Sequence, residues 1–124
     1  MKKLVFYKCQ ICGNVVVKLV DSKVPVFCCA QVMAEIKPNS TDAAVEKHKP
    51  VITADGKTAQ DKVGQIDHPM TEEHYISMIV LETSKGFAVK NLMPGQTPAA
   101  DFILADDEKI VSAYSYCNLH GMWA

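Results

Sequence analysis

The chain has 124 residues, 48% of them apolar, and a formal net charge of −1. That length suits one domain, or a small module joined to a larger one, and the apolar share is ample for a packed core. The lysines are scattered and form no basic stripe, which argues against a nucleic-acid partner, and the longest apolar runs are strand-length, too short to cross a membrane.

The opening stretch, MKKLVFYKCQIC, reaches Lys8 and Cys9 before a signal-peptide core can form, so a soluble, cytoplasmic protein is expected. In that reducing compartment cysteines serve more often as metal ligands or redox groups than in disulfides. Residues 1–36 carry four of the five cysteines among short apolar runs such as LVFY, VVVKLV and PVF. Cys9-Gln10-Ile11-Cys12-Gly13 reads as a metal knuckle, two thiolates that can converge on one ion beside a permissive glycine. Cys28 and Cys29 are adjacent. Neighbouring Cα atoms stand about 3.8 Å apart, whereas an unstrained disulfide wants roughly 4.4 to 6.8 Å. A shared ion is the easier use of both sulfurs, which makes a tetrathiolate site of Cys9, Cys12, Cys28 and Cys29. Spacing leaves zinc and iron equally open. A module of about 35 residues buries too little surface to fold unaided, so the ion is expected to be part of its core.

Residues 37–44, KPNSTDAA, read as a linker. TDAAVEKH (41–48) has a helical pattern of two turns at most. The strands expected next are HYISMIVLET (74–83), apolar on both faces, then FAVKNLM (87–93), ADFILA (100–105) and KIVSAYSYC (109–117). Turn chemistry separates them, at Asp55-Gly56, Ser84-Lys85-Gly86, Pro94-Gly95 and Asp106-Asp107-Glu108. That rhythm is all-β and sandwich-like, so the division is a small knuckle module over 1–36 and a β-sandwich over 45–124.

All four histidines and the fifth cysteine fall in this second part. Taken singly, each has an ordinary reading: His48 as a solvated residue before a turn, His68 as an extended residue before Pro69, His74 as a strand cap, Cys117 as a core side chain. Every histidine, however, lies in a stretch of turn or strand-end character, and joint accident is a poorer account than a shared site with Cys117 and His120. On composition alone Glu46 and Lys47 are a solvated charge pair ending a short helix.

The motifs CQICGN with CC, EKHKP, HPMTEEHYI and CNLHGMW follow in order over nearly the whole chain, and they resemble the desulfoferrodoxin family, the two-iron superoxide reductases. The resemblance implies a desulforedoxin-like Fe(Cys)4 module, with Cys9, Cys12, Cys28 and Cys29 as ligands. It implies a neelaredoxin-like, immunoglobulin-like sandwich in which His48, His68, His74 and His120 hold iron in a plane with Cys117 axial. Five protein ligands exceed the four that zinc prefers and leave one face for a small anion. By the same resemblance, superoxide takes one electron and two protons to give hydrogen peroxide, and the thiolate favours release of the product with its O–O bond intact. Lys47 would attract the anion, and Glu46 would fill the open face after oxidation. Both lie next to the linker, so a mobile loop is expected to carry them. Rubredoxin or a similar small donor would restore the iron, and a homodimer is the family's usual assembly. The competing function is a rubredoxin-like electron carrier that meets no substrate.

Overall fold

The computed structural model describes residues 4–124. Two compact units make up the chain, Met1–Lys37 and Pro38–Ala124. The architecture is all-β, with one four-residue helix among the described residues.

In the first unit, β1 (Phe6–Lys8) is the centre of an antiparallel sheet between β2 (Val15–Val17) and β5 (Ala34–Ile36). A separate hairpin pairs β3 (Phe27–Cys28) with β4 (Gln31–Val32). Only Phe6, Cys9 and Met33 are buried among this unit's described apolar side chains, while Ile11, Leu19, Val20, Val24 and Phe27 are exposed. So small a core fits the expectation that cross-linking through the cysteines completes the module.

The second unit begins with α1 (Val45–His48) and continues through β6 (Pro50–Asp55), β7 (Thr58–Val63), β8 (Ile76–Thr83), β9 (Gly86–Asn91), β10 (Ala99–Ile103), β11 (Ile110–Cys117) and β12 (Gly121–Trp123). One sheet has the order β10-β7-β6 and the other β12-β11-β8-β9. Their facing side chains, among them Ala59, Val63, Ile79, Leu81, Phe102 and Ala113, form one core cluster, which makes the unit a β-sandwich. Strands β8, β9, β10 and β11 fall where the sequence predicts them.

Three strands and most of the helix do not follow the sequence pattern. Strand β7 alternates strictly between exposed and buried, but one of its three inward positions is Asp61, so TAQDKV does not read as apolar alternation. Its neighbour β6 is almost wholly exposed and carries no pattern at all. Strand β12 is too short to announce itself. The helix begins only at Val45: Ala44 is extended, at φ −67° and ψ 111°, and gives no side-chain cap, while farther back the Asn39 amide donates to Met122 O at 2.9 Å and Ala124 N donates to Asn39 Oδ1 at 3.0 Å.

Candidate metal centres

The first cluster is built by two turns. In the knuckle, Cys9 N donates to Asn14 O and Gly13 N to Cys9 O, closing the loop so that the Cys12 amide points at Cys9 Sγ from 3.4 Å. The β3–β4 hairpin turns on Cys29 and Ala30, with φ of 53° and 60°. Positive φ at both central positions is the type I′ hairpin geometry, whose twist matches the flanking strands. It explains how consecutive cysteines serve one point: Cys28 ends its strand, Cys29 occupies the turn, and their sulfurs stand 4.0 Å apart. Cys12 Sγ lies 3.5 Å from Cys28 Sγ, and all four sulfurs fall within 4.8 Å of one another. A tetrahedral ion with bonds of about 2.3 Å to sulfur would hold its ligands about 3.8 Å apart, so the spacing is that of a tetrathiolate site. The backbone amide of Cys12 pulls the Cys9 thiol down to about 6 against the opposing effect of burial, with the Ile11 amide assisting. Its neighbours Cys9 and Cys12 push Cys29 up to about 12. Crowded thiolates of this kind need a cation to ionise together.

The second cluster forms at one end of the sandwich. Antiparallel pairing sets Ile76, near the start of β8, opposite Cys117, the end of β11, so His74 and Cys117 arrive from two strands at the same edge. A three-residue turn, Asn118-Leu119-His120, joins β11 to β12 and closes on Gly121 at φ +78°. A left-handed residue is what that loop length demands. It folds His120 back so that its amide donates to Cys117 Sγ at 3.3 Å. Asn118 clasps the turn to the stretch carrying His74: its Oδ1 accepts from Tyr75 N at 2.9 Å, and its Nδ2 donates to Glu73 O at 2.9 Å.

The four imidazoles surround a common point. Around the circuit His48, His68, His74, His120, adjacent ring centroids are 4.6, 4.6, 5.0 and 4.9 Å apart, with interplanar angles of 76°, 84°, 81° and 81°. Across it, His48 and His74 are 6.4 Å apart and tilted by only 31°, the diagonal of a near-square. The donor atoms of His48, His74, Cys117 and His120 all lie within 4.8 Å of one another, and His68 Nε2 joins them 3.2 Å from His48 Nε2.

Protonation follows from the outer contacts. The Nδ1–H of His48 donates to Ala44 O at 2.6 Å, and that of His68 to Pro69 O at 2.7 Å. Burial lowers the affinity of both rings for a second proton, bringing His68 down to about 4. Each ring is therefore neutral, with a bare Nε2 lone pair aimed inward. His120 Nδ1 approaches His48 Nε2 to 3.0 Å, and His74 Nε2 is buried without any partner. The inward lone pairs of His48 and His68, 3.2 Å apart, repel unless a cation lies between them, and the unpartnered His74 Nε2 lacks a contact that an ion would supply, so the residues fit a metal ion. Cys117 is fully buried behind the ring of imidazoles, and burial raises its thiol against the pull of the His120 and Leu119 amides. His48 and His68 are buried whereas His74 and His120 are half-buried, so the latter two rings lie on the more accessible side of the circuit.

All nine residues expected as ligands thus fall into these two groups. Glu46 and Lys47 lie outside the donor ring: Glu46 is exposed, and Lys47 is close enough for its charge to oppose protonation of His74, after burial and His120. Their backbone is not the mobile loop expected. Glu46 O accepts from Ile66 N at 3.0 Å, Lys49 O from Gly64 N at 3.0 Å, and His48 O from Ser115 Oγ at 2.6 Å. Gly64, at φ +85°, packs so closely here that a Cβ would stand 2.6 Å from Glu46 O. Gly64, Ser115 and Asn118 escaped the sequence reading because their partners are backbone groups of residues distant in the chain, which leave no residue-type signature; the Asn in CNLHG was the one available hint.

Comparison with known proteins matches the Desulfoferrodoxin family model to residues 40–124. A desulfoferrodoxin of Desulfarculus baarsii is 42% identical over 122 residues, 98% of this chain and 95% of that protein. A desulfoferrodoxin homolog of Archaeoglobus fulgidus is 41% identical over 117 residues, 94% of this chain and 92% of the relative. Among solved structures, the superoxide reductase from Treponema pallidum superposes with a TM-score of 0.83 at 35% identity, covering 98% of each chain.

Proposed function

The chain belongs to the desulfoferrodoxin family, and we propose that it is a superoxide reductase, delivering one electron to superoxide so that, with two protons from solvent, hydrogen peroxide forms. Its tetracysteine group and its four-histidine, one-cysteine group match the family's two iron sites. In this reading Cys9, Cys12, Cys28 and Cys29 hold one iron, and His48, His68, His74, His120 and Cys117 hold the other. The observation that carries it is the circuit of four imidazoles around a common point, two of them with Nε2 lone pairs held inward, beside a buried thiol. Five such donors suit a redox ion better than four-coordinate zinc.

Iron held by these five residues would supply the single electron that reduction of superoxide requires. The residues do the rest. Cys117 donates electron density from the core side, its sulfur oriented by the His120 amide at 3.3 Å. Lys47, beside the half-buried His74, attracts a small anion that a chain of net charge −1 would not draw in by itself. Glu46 offers an exposed carboxylate that can occupy the open side between turnovers.

A small rubredoxin-type donor would return the electron after turnover. The exposed apolar side chains Leu19, Val20 and Val24 support assembly as a homodimer. No helix among the described residues is long and apolar enough to cross a membrane, and a cytoplasmic location is proposed with the rest. Anaerobic pulse radiolysis of the reduced protein tests the function. One electron consumed and one peroxide formed per superoxide is the expected result; dioxygen among the products, or no reaction with superoxide, overturns it.

A further inference from the structure

Behind the second cluster, on the last hairpin, Ser115 and Trp123 sit directly opposite one another as cross-strand partners. Both are buried, Trp123 to 2% exposure. The indole lies face to face with the His48 ring, centroids 4.9 Å apart at 29°, and its Nε1–H donates to His120 O at 3.1 Å. Ser115 Oγ donates to His48 O at 2.6 Å. Two adjacent corners of the imidazole circuit are therefore held from one place: His48 by its ring and its carbonyl, His120 by its carbonyl.

We propose that Trp123, backed by Ser115, is the positioning residue of the second metal centre, fixing the plane of His48 and the turn of His120 before an ion arrives. The inference rests on the proposed iron site. His48 leaves a helix of only four residues, which has no side-chain cap and little rigidity of its own. Its Nδ1 contact to Ala44 O fixes the tautomer but still permits the ring to tilt. An indole face removes that freedom, because tilting the imidazole would drive it into the larger ring or open a gap. His120 rides on a short turn whose carbonyl would otherwise be free to rotate, carrying Nδ1 away from the centre. Holding a ligand by its outer contacts is the usual way a protein tunes a metal site, and Trp123 does so for two ligands at once.

The test uses the full-length, iron-loaded chain with Trp123→Phe and Trp123→Leu. Phenylalanine keeps an aromatic face on His48, and leucine removes both contacts. Capture of the second iron by a chelator is expected to be about threefold faster in Trp123→Phe and about ten- to a hundredfold faster in Trp123→Leu. The visible band of the oxidised second site is expected to shift in Trp123→Leu, with the tetracysteine band unmoved as an internal reference. Trp123 is the chain's one tryptophan. Its emission is expected to fall when the second site fills and to recover when a chelator empties it. Equal capture rates in wild type and Trp123→Leu, or emission indifferent to iron, overturn the proposal. If Trp123→Leu does not fold, the phenylalanine variant and the wild-type emission decide it. A wild type that holds both irons yet spares superoxide refutes the reductase reading and leaves these readouts as they stand.

Discussion

His48 and His68 present their Nε2 atoms to each other across 3.2 Å while the Nδ1–H of each is committed to a backbone carbonyl. Two neutral rings arranged so cannot share a proton between them, and the repulsion is relieved only by a cation. The first prediction concerns that cation. His68→Ala removes one of the converging lone pairs and is expected to lower iron content from two to one per chain, with the tetracysteine band intact. Elemental analysis with the oxidised visible spectrum checks it, and full retention of both irons would remove His68 from the site. Uptake of the second ion by wild type is also expected to release about one proton at neutral pH, since burial keeps the Cys117 thiol protonated until an ion binds.

Lys47 lies close enough to His74 for its charge to act there but belongs to neither cluster. Lys47→Ile is expected to slow the second-order reaction with superoxide by about tenfold and to flatten its salt dependence. The iron spectrum is expected to stay as in wild type, because no ligand contact changes. Stopped-flow or pulse-radiolysis rates at two ionic strengths measure both effects; an unaltered rate dismisses the steering role.

Ala30 occupies a left-handed conformation, φ 60°, on an exposed turn. Glycine tolerates that backbone better than alanine, so Ala30→Gly is expected to stabilise the first unit by about 1 kcal/mol with the iron retained. Slower loss of the tetracysteine band in denaturant is the readout. Destabilisation would mean that the turn is not the type described.

Asp61 lies inside the sandwich, 1% exposed, with neither oxygen hydrogen-bonded, and burial pushes its carboxyl up to about 7. A raised folded-state value means that the folded protein holds a proton the unfolded chain has released. Stability is therefore full below the ordinary carboxylate value, falls as pH rises through the window up to about 7, and stays low above it. The penalty at alkaline pH is on the order of 4 kcal/mol. Asp61→Asn is expected to abolish this dependence, and Asp61→Val to raise stability most at about pH 8. Denaturant unfolding across the pH range checks it, and a wild-type profile that rises with pH contradicts the assignment.

Much was legible in the residues themselves. The CQICG knuckle and the Cys28-Cys29 pair announced a tetrathiolate cluster, because thiols at those spacings have few other uses in a reducing compartment. HPMTEEHYI and CNLHG marked the second site, since ligands must sit at strand ends and turns to converge. Strands β8 to β11 followed from apolar pattern and turn chemistry. What pattern could not supply was anything carried by backbone geometry or by contacts across the fold. The I′ turn that lets consecutive cysteines aim at one point depends on dihedral angles, which Cys29 and Ala30 do not advertise. Strand β7 was hidden by an aspartate on its inward face. The pinning of Glu46 to Lys49 and the stacking of Trp123 on His48 join residues far apart along the chain. Local composition determined which groups bear the chemistry; only packing decided how firmly each is held, because that firmness comes from neighbours the polypeptide acquires on folding.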